Sequence, residues 1–490
     1  MNPMPHAGGG PLRHVSAGAL ATTPPCMNPQ CKRARCEGVS DMNRLCYRII
    51  FNRARGALMA VGEDARAAGQ AASGQRRARR VGASATTTAA LLLGGWALQP
   101  LAWAQIVADP SAPGTQQPTV LTAPNNVTLV NIQTPSAAGV SRNTYSQFDI
   151  QSRGVILNNS RGDVQTQLGG WVQGNPWLAS GGSARVILNE VNSSKPSSLN
   201  GWLEVAGQRA EVVIANPAGI QVNGAGFINA GGVTLTTGTP VFSGGALEAY
   251  RVQGGRITFG GGGLDARGTS YTAILARAVE VNAGIWADRL NVVTGANQVN
   301  ASTLAASPLA ASAADPTPAF ALDVSQLGGM YAGQIHLIGT EAGVGVNQRG
   351  VIAATTGNLT LQANGWLTNT GALQAQGHQI SVQVQGVTQT STGVVAAAEV
   401  TVISESGVIN QGLVDGTNVL IRAQSLDNQG RVQALTSLDL VTPGAVTNSG
   451  ALQSGGGLNL AAANIVNTST GAIAAKDAVI HSDTGLLNQG

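Results

Sequence analysis

A repeat of about 20 residues near the end of the chain constrains the fold more than any other feature of the sequence. Polar turns that end in glycine recur there at spacings of 22, 19, 18, 20, 21 and 19 residues, and most have the form Asn-x-Gly. The glycines are Gly371, Gly393, Gly412, Gly430, Gly450, Gly471 and Gly490. A period of this length indicates a solenoid, in which each repeat forms one turn and stacks on its neighbours.

Between these turns the sequence favours short strands. Apolar and polar residues alternate in runs such as LTL at 359–361 and VTVI at 400–403, and no stretch after residue 105 keeps a helical apolar period. The dense leucine frame of leucine-rich repeats is absent. We therefore predict an all-β fold, a right-handed parallel β-helix (solenoid) with an N-terminal cap. At roughly 4.8 Å per turn, residues 105–490 would form roughly 19 turns and a rod of roughly 90 Å.

The composition fits many short strands joined by tight corners. Glycine accounts for 65 of 490 residues, whereas aromatic residues make up 4% and charged residues 11%, against about 25% charged residues in average domains. The narrow apolar column inside a β-helix needs few large side chains. Aligned Asn or Thr side chains can form hydrogen-bonded ladders along such a column.

An early stretch, EVVIANPAGIQVNG at residues 211–224, indicates what one corner would look like. Residues 212–214 and 220–222 favour extended backbone, because β-branched side chains restrict χ1. Asn at the first, Pro at the second and Gly at the fourth position of the intervening turn are typical of a type I turn. We predict that residues 216–219 form the corner between two strands of one turn.

The net positive charge and all cysteines belong to the N-terminal segment. Residues 1–104 carry 13 Lys+Arg against 4 Asp+Glu, a net charge of +9, whereas residues 105–490 carry 15 against 20, a net charge of −5. Nucleic-acid binding by residues 105–490 therefore lacks its electrostatic basis, and we predict no nucleic-acid partner. The spacing of the cysteines does not fit a zinc site, so we predict no metal. They are Cys26, Cys31, Cys36 and Cys46.

Residues 67–104 have the organisation of a signal peptide. Basic residues at 76–80 precede the apolar run AALLLGGWAL at 89–98, and the small residues Ala102 and Ala104 precede Gln105. This apolar run is too short for a membrane-spanning helix, which needs about 20 residues. We predict cleavage after Ala104, with a buried helix as the alternative.

The stretch ASTLAASPLAASAADPTPAF at residues 301–320 interrupts the strand pattern, because it is rich in Ala, Pro and Ser. We predict a boundary loop at 301–324. It would separate an N-terminal module at 105–300 from a repeat shaft at 325–490.

Upstream of the signal peptide, residues 42–66 resemble the extended signal-peptide region of large type V secreted proteins. The resemblance is carried by Met42-Asn43, the YRIIFN core at 47–52 and Ala60-Val61. It implies that translation starts at Met42 and that residues 1–41 are an over-extended start.

Four stretches of the N-terminal module resemble the secretion domain of two-partner secretion exoproteins, the family of filamentous haemagglutinin and related haemolysin-type proteins. They are FDIQSRGVILNNS (148–160), VQTQLGGWVQGNPWL (164–178), ARVILNEVNSSKPSSLNGWLEVAGQRAEVVIANPAGI (184–220) and INAGGVTLTTGTP (228–240). LGGMYAGQIHLIGTEAGVGV (327–346) is similar to the start of the haemagglutinin repeats. The resemblance implies Sec export across the inner membrane of a Gram-negative bacterium, followed by recognition by an outer-membrane transporter with periplasmic domains.

Members of this family carry two Asn-Pro motifs in the secretion domain. Asn-Pro-Asn-Leu is matched by Asn175, Pro176 and Leu178, with Trp177 as a departure. Asn-Pro-Asn-Gly-Ile is matched by Asn216, Pro217, Gly219 and Ile220, with Ala218 as a departure. The resemblance implies roles in secretion or in shaping the N-terminal cap, and simple corner-forming turns remain compatible with both. The departures leave open any contact that needs the missing Asn side chains.

Other functions have weaker support in the sequence. Polysaccharide lyases also use β-helices, but the acidic residues are scattered and His336, His378 and His481 lie more than 40 residues apart. The glycines at 260–263 lack the Gly-Lys-Ser/Thr ending of a phosphate loop. Arg161, Gly162 and Asp163 form an integrin-type tripeptide, which also arises by chance. We predict no enzymatic activity and no cofactor, and we keep receptor binding as a hypothesis.

We predict a secreted, surface-associated haemagglutinin-like adhesin. Its partners would be the outer-membrane transporter and a host-cell receptor or glycan, or neighbouring bacteria. The alternative is the N-terminal stem of a contact-dependent growth inhibition toxin, in which the toxin domain would follow a very long shaft. Because the sequence stops in mid-repeat without a polar cap, we expect a fragment or a truncated gene.

Overall fold

In this computed structural model the described residues are 47–52, 57–62, 106–179 and 181–490. Several sequence predictions therefore lie outside the described residues. These are the over-extended start at 1–41, the signal peptide at 67–104, the cleavage site at Ala102, Ala104 and Gln105, and the four cysteines.

A short antiparallel hairpin lies within the predicted extended signal-peptide region. Strand β1 (Tyr47–Asn52) pairs with strand β2 (Ala57–Gly62), with Tyr47 opposite Gly62 and Asn52 opposite Ala57. This hairpin belongs to a different unit from residues 106–490.

From residue 106 to residue 308 the chain forms short strands, interrupted by two three-residue 3₁₀ turns at Gly114–Gln116 and Pro176–Leu178. The strands are β3 (Ile106–Ala108), β4 (Thr119–Thr122), β5 (Thr128–Asn131), β6 (Val140–Phe148), β7 (Val155–Asn159), β8 (Val164–Thr166), β9 (Gly170–Val172), β10 (Val186–Val191), β11 (Ser197–Leu199), β12 (Trp202–Gly207), β13 (Ala210–Ala215), β14 (Ile220–Val222), β15 (Ala225–Ile228), β16 (Ala230–Thr236), β17 (Thr239–Ser243), β18 (Ala246–Val252), β19 (Arg256–Phe259), β20 (Leu264–Ala266), β21 (Thr272–Ala276), β22 (Ala278–Val281), β23 (Gly284–Thr294), β24 (Asn297–Asn300) and β25 (Ala306–Pro308). Neither 3₁₀ turn, nor any other helix in the described part of the chain, is long and apolar enough to cross a membrane.

The remaining strands are on average longer, because several of them bend around a corner without interruption. They are β26 (Phe320–Val324), β27 (Gly329–Gly339), β28 (Gly345–Gln348), β29 (Val351–Ala354), β30 (Leu359–Asn369), β31 (Ala372–Gln389), β32 (Val394–Ser404), β33 (Gly407–Asn410), β34 (Leu413–Arg422), β35 (Ser425–Asn428), β36 (Arg431–Asn448), β37 (Ala451–Ser454), β38 (Gly457–Asn467), β39 (Ala472–Ala474) and β40 (Asp477–Asn488).

These strands wind into a parallel solenoid with three faces. Face A begins with β5, β7, β12 and β15, face B with β6, β10, β13 and β16, and face C with β11, β14, β19 and β22. Each strand pairs in parallel with its counterparts in the turns before and after. Strand β27 illustrates the bending, since its first half pairs with β29 on face A and its second half with β30 on face B. The predicted all-β parallel β-helix is confirmed, with about 14 turns.

The prediction of roughly 19 turns is wrong, because the N-terminal turns are longer than the repeat. Leu203 lies directly over Val155 although 48 residues separate them, whereas Ala451 lies over Arg431 after only 20. The extra residues form excursions outside the solenoid, including the hairpin β8–β9 and the antiparallel sheet β17–β18–β24–β25. About 14 turns correspond to a rod of roughly 67 Å rather than 90 Å.

The four-stranded excursion sheet explains why several early strands are apolar on both sides. In β13, Val212 and Ile214 point into the central core, while Val213 and Ala215 point outwards under this sheet. The buried residues between face B and the sheet form a second apolar group, which we call the outer cluster: Val140, Leu188, Val213, Ala215, Tyr250, Val252, Ala273, Leu275, Val293 and Val299. Because both sides of such a strand are buried, it lacks the alternation of apolar and polar residues that is expected when one side faces solvent.

A buried ladder of amide side chains runs along the shaft. Nδ2 of each asparagine donates to Oδ1 of the asparagine in the next turn, at 2.7 Å in every step. The ladder runs through Asn410, Asn428, Asn448, Asn467 and Asn488. It continues upstream through Gln389 to Asn369. A hydrogen-bonded ladder of the kind considered from the sequence is therefore present, and most of its members are the Asn residues of the Asn-x-Gly turns, while Gln389 and Asn467 precede their glycines by four residues.

The glycines of these turns pack too closely for a side chain. A Cβ on Gly450 would lie 2.0 Å from the carbonyl oxygen of Gly430 in the preceding turn. The same contact recurs between Gly430 and Gly412, at 2.3 Å. Glycine is therefore required at this corner by close backbone approach rather than by an unusual φ.

Antiparallel strands close the N-terminal end of the solenoid. Strand β3 pairs antiparallel with β6, and β4 pairs antiparallel with β5. They cover fully buried residues of the first turn, including Val130, Ile132 and Tyr145. This arrangement corresponds to the predicted N-terminal cap.

One buried arginine helps to attach the Ala/Pro-rich stretch to the solenoid, beside the backbone bonds from Leu309 to Ala296 and from Ser312 to Gln253. The guanidinium of Arg277, whose side chain is 4% exposed, donates to the carbonyl oxygens of Asp315 and Pro316. It also forms a bidentate ion pair with Glu341, at 2.8 and 3.1 Å. The Asp315 carboxylate in turn accepts the backbone N–H of Gly255 at 2.8 Å. Residues 301–324 thus contain an anchored segment as well as β25 and the strand β26.

Candidate secretion and capping site

The first Asn-Pro motif forms a capped 3₁₀ turn between β9 and β10. Pro176 occupies the first position of the turn, where its missing N–H is not needed. Asn175 is the N-cap, and its Oδ1 accepts the backbone N–H of Trp177 at 3.0 Å. Leu178 is fully buried at the end of the turn. The local sequence Asn-Pro-x-Leu therefore specifies a tight turn whose last side chain enters the core.

The Asn175 amide also joins two other segments of the secretion module. Its Nδ2 donates to the carbonyl oxygens of Ile132, at 2.8 Å, and Asn158, at 2.9 Å. Asn175 is 1% exposed, so these bonds replace water completely. Loss of this side chain would remove both of these buried hydrogen bonds.

The departure at position 177 places an aromatic side chain against the cap. Trp177 is 45% exposed, and its Nε1 donates to Oγ1 of Thr119 in β4 at 3.1 Å. Its carbonyl oxygen accepts a hydrogen bond from Thr134 Oγ1 at 2.6 Å. The tryptophan thus connects the turn to the N-terminal cap by contacts of its own.

The second motif forms the corner between β13 on face B and β14 on face C. The carbonyl oxygen of Asn216 accepts the N–H of Gly219 at 3.0 Å, which closes the four-residue turn expected from the sequence. Gly219 has a φ of +113° and Ile220 is buried directly after it. Glycine is needed here because L side chains rarely adopt this backbone conformation.

Asn216 uses its amide in the same way as Asn175. Its Oδ1 accepts the N–H of Ala218 at 2.9 Å, while its Nδ2 donates to the carbonyl oxygen of Lys195 at 2.9 Å and to Ser197 Oγ at 3.0 Å. The side chain is fully buried. Each asparagine therefore holds its own turn and ties it to chain segments that lie beside it.

The two motifs lie at different places, and no hydrogen bond between them occurs among the described residues. Both asparagines are buried, whereas Pro176, Trp177 and Pro217 are exposed and Ala218 is half-buried. A partner of the folded module could therefore contact the prolines and Trp177, but not the Asn side chains. The geometry assigns the asparagines to the shape of the first turns.

A network of further buried amides was not predicted from the sequence. Asn158 Nδ2 donates to Asn131 Oδ1 at 2.8 Å, and the Tyr145 hydroxyl donates to Asn189 Oδ1 at 3.0 Å. Burial raises the pKa of Tyr145, which keeps this hydroxyl protonated as a donor. The available signal was the placement of Asn at or near strand ends, as in ILNNS at 156–160.

The integrin-type tripeptide lies in the loop before the first Asn-Pro motif. All three residues are exposed. Arg161 Nη2 donates to the carbonyl oxygen of Ala179 at 3.1 Å, and Asp163 Oδ1 accepts the N–H of Gly174 at 3.0 Å. Both charged side chains thus bridge the excursion that leads to Asn175.

The acidic residues and histidines do not converge. His336, His378 and His481 lie on three different strands, β27, β31 and β40. Within residues 106–179 and 181–490, no group of three or more His, Cys, Asp or Glu side chains is placed to hold a metal ion.

Comparison with protein families assigns three regions of the chain. The TPS secretion domain matches residues 104–369, and the Extended Signal Peptide of Type V secretion system matches residues 42–93. The Haemagglutinin repeat matches residues 378–442 and 429–490.

Curated relatives are similar over the N-terminal part of much longer proteins. "Toxin CdiA" of Yersinia pestis is 54% identical over 342 residues, which are 68% of this chain and 10% of that protein. "tRNA nuclease CdiA-2" of Burkholderia pseudomallei is 47% identical over 345 residues, or 68% of this chain and 11% of that protein. The chain spans about a tenth of the length of these relatives.

Among solved structures, the filamentous hemagglutinin secretion domain is 26% identical, with a TM-score of 0.43. The match covers 78% of this chain and 98% of that one. The HMW1 secretion domain from Haemophilus influenzae is 14% identical, with a TM-score of 0.33, and covers 79% and 97%.

Proposed function

The chain belongs to the two-partner secretion exoproteins, since the TPS secretion domain matches residues 104–369, and we propose that its first turns are the part on which export depends. The extended signal peptide and the secretion domain direct the chain through Sec export to the cell surface of a Gram-negative bacterium. We assign its recognition in the periplasm to a dedicated outer-membrane transporter.

The observation that carries this proposal is the burial of both motif asparagines in the first turns. Asn175 and Asn216 each fix a corner and bond to neighbouring segments, so they complete the folded end on which later turns stack. If the chain crosses the outer membrane unfolded, each turn that forms outside buries apolar surface and lowers the free energy of the chain, which favours outward movement. The absence of cysteine after residue 46 keeps such a chain free of covalent cross-links during passage.

Replacing Asn216 and Pro217 together by alanine should strongly reduce secretion and leave precursor or degradation products in the periplasm. The substitution removes three buried hydrogen bonds of the Asn216 side chain and the stiff turn residue. The measurement is the amount of protein in the medium and in the periplasm, determined by immunoblot at equal synthesis.

Two further variants separate recognition from folding. Pro217→Ala keeps the buried amide, so reduced export of this variant alone would indicate that the exposed proline is read by the transporter. Asn428→Ala removes an equally buried amide of the shaft ladder, outside the matched secretion domain, and should be exported normally. Undiminished export of the double variant at 216 and 217 would contradict our proposal.

For the secreted chain we propose a surface-associated adhesin. It would present the exposed tripeptide at 161–163 or another surface to a host-cell receptor or glycan. Asp163→Asn is the appropriate test, because an amide oxygen can still accept the Gly174 N–H while the charge is lost. We expect host-cell adhesion to fall with secretion unchanged. Unchanged adhesion by this variant would show that the tripeptide does not bind the receptor.

A second candidate is favoured by the names of the relatives. We propose as the alternative that the chain is the stem of a contact-dependent growth inhibition toxin, which acts on neighbouring bacteria through a region beyond the shared residues. Reading the gene beyond codon 490 for a toxin domain, and its neighbours for an immunity gene, distinguishes the two candidates.

We further propose that residues 106–490 have no catalytic activity of their own. The support is the distribution of their histidines over separate strands. Incubation of the secreted chain with acidic polysaccharides should release no unsaturated ends, and release of such ends would refute this proposal.

A further inference from the structure

A groove of about 650 Å³ lies on face B beside the four-stranded excursion sheet. Its floor is a column of outward-facing positions that follow one another through successive turns of the solenoid. The column comprises Val140, Val186, Glu211, Gly232, Tyr271, Arg289 and Gln334. The neighbouring column adds Asn291 and His336. Seven turns thus build one elongated depression.

A strained turn between β24 and β25 forms one wall of this groove. The Oδ1 of Asn300 accepts the N–H groups of Ser302 and Thr303, both at 2.9 Å. Leu304 has a φ of +58°, a left-handed conformation that costs free energy in a non-glycine residue, and its side chain packs against the outer cluster. This packing holds the turn in place and leaves the side chain of Ser302 exposed at the rim, whereas the Thr303 hydroxyl donates to Asn300 Oδ1 at 3.1 Å and accepts the N–H of Ala305 at 3.3 Å.

An aromatic ring lies along the middle of the floor. A Cβ on Gly232 would come within 2.2 Å of the Tyr271 ring, so glycine at 232 makes the room in which the ring lies. Burial, together with the neighbouring Glu211 carboxylate, raises the pKa of Tyr271. The groove therefore presents a neutral ring with one carboxylate beside it.

Two arginines without ion-pair partners among the described residues stand at separate points of the groove. Arg185 donates to the carbonyl oxygen of Ala138 at 2.6 Å, and Arg289 donates through Nε to that of Ser270 at 3.0 Å. Both side chains are exposed, so guanidinium N–H groups remain for a ligand. Four turns separate the arginines, a distance of roughly 19 Å along the rod.

We propose that this groove binds a linear acidic oligosaccharide. Carboxylates of the sugar chain pair with Arg185 and Arg289, a sugar ring packs on Tyr271, and hydroxyls bond to the amides and hydroxyls along the walls. The floor is the face of a sheet, whose N–H and C=O groups are used in pairing. A peptide backbone would find no open strand edge there, whereas a sugar chain needs only side chains. This proposal names a ligand for the surface-associated adhesin proposed above and rests on that function. It does not depend on how the chain is exported.

The test uses the secreted chain purified from culture medium. Calorimetric titration with tetragalacturonate should give binding that weakens as salt is raised, whereas neutral cellotetraose should not bind. Arg289→Gln and Arg185→Gln should each weaken binding by about tenfold, as expected for one charge-assisted contact. Arg422→Gln, at an exposed arginine of face B outside the groove, is the matched control and should bind like the unchanged chain.

Three results would overturn the proposal. The first is equal binding of cellotetraose and tetragalacturonate, the second is unchanged affinity in both groove variants, and the third is binding of a hexaglutamate peptide with the same dependence on the two arginines. Circular dichroism of each variant shows whether it is folded. If Arg289→Gln does not fold, the test rests on Arg185→Gln, which changes an exposed residue at a corner.

Discussion

Replacing Gly450 by alanine is expected to release the last turns of the shaft. The new Cβ would lie 2.0 Å from the carbonyl oxygen of Gly430 and 2.7 Å from the carbonyl carbon of Gln429. These are backbone atoms fixed by parallel pairing, and the Ala451 N–H bonds to the same Gly430 oxygen at 2.8 Å. The clash can be relieved only by separating two turns. We expect a local loss of at least about 3 kcal/mol, seen as faster amide hydrogen exchange in residues 431–490.

Gly457→Ala is the matched control for this substitution. No heavy atom lies within 4 Å of a Cβ at position 457, and its φ is not in the left-handed region. The same chemical change there should alter stability by no more than about 1 kcal/mol. Equal exchange rates in the two variants would contradict the close-approach explanation for the Asn-x-Gly repeat.

Arg277→Ala should release the end of the Ala/Pro-rich segment around Asp315 and Pro316 from the solenoid. The change leaves the Glu341 carboxylate without its buried partner and removes the donor to the carbonyl oxygens of Asp315 and Pro316. Breaking a buried ion pair from one side costs about 3–5 kcal/mol. We expect a lower unfolding temperature and rapid proteolysis within residues 313–319, where the intact chain should resist cleavage.

Two other arginine substitutions define what Arg277 contributes. Arg277→Lys keeps the charge but loses the bidentate geometry, so its effect should be intermediate. Arg422→Ala removes an exposed arginine and should leave both the unfolding temperature and the proteolysis pattern unchanged. An unaltered pattern in Arg277→Ala would show that the excursion sheet alone holds the segment.

The shaft was predictable because one physical requirement recurs in every turn. Each corner needs glycine for close approach and an amide for the ladder, so an amide followed by glycine, most often as Asn-x-Gly, repeats at the length of a turn. The corner at Asn216 was predictable for a related reason, since Asn, Pro and Gly each favour one position of the turn.

The N-terminal module was less predictable, because its excursions follow no period. The sequence between Val155 and Leu203 contains no signal that 48 residues make a single turn. The bonding partners of Asn216, at Lys195 and Ser197, depend on which segments the solenoid places side by side. The groove could not be predicted from the sequence either, because only turns of unequal length bring Glu211, Tyr271 and Arg289 into one column.

The amide ladder has a direction. From Asn369 to Asn467 each side-chain N–H donates to the next turn, and from Gln389 to Asn488 each side-chain oxygen accepts from the previous one. Dipoles aligned head to tail polarise one another, so every added member strengthens those already in place. Removing one amide from the middle would therefore divide a single cooperative series into two weaker ones. Stiffness of the shaft against bending and fraying should accordingly grow with its length rather than stay constant per turn.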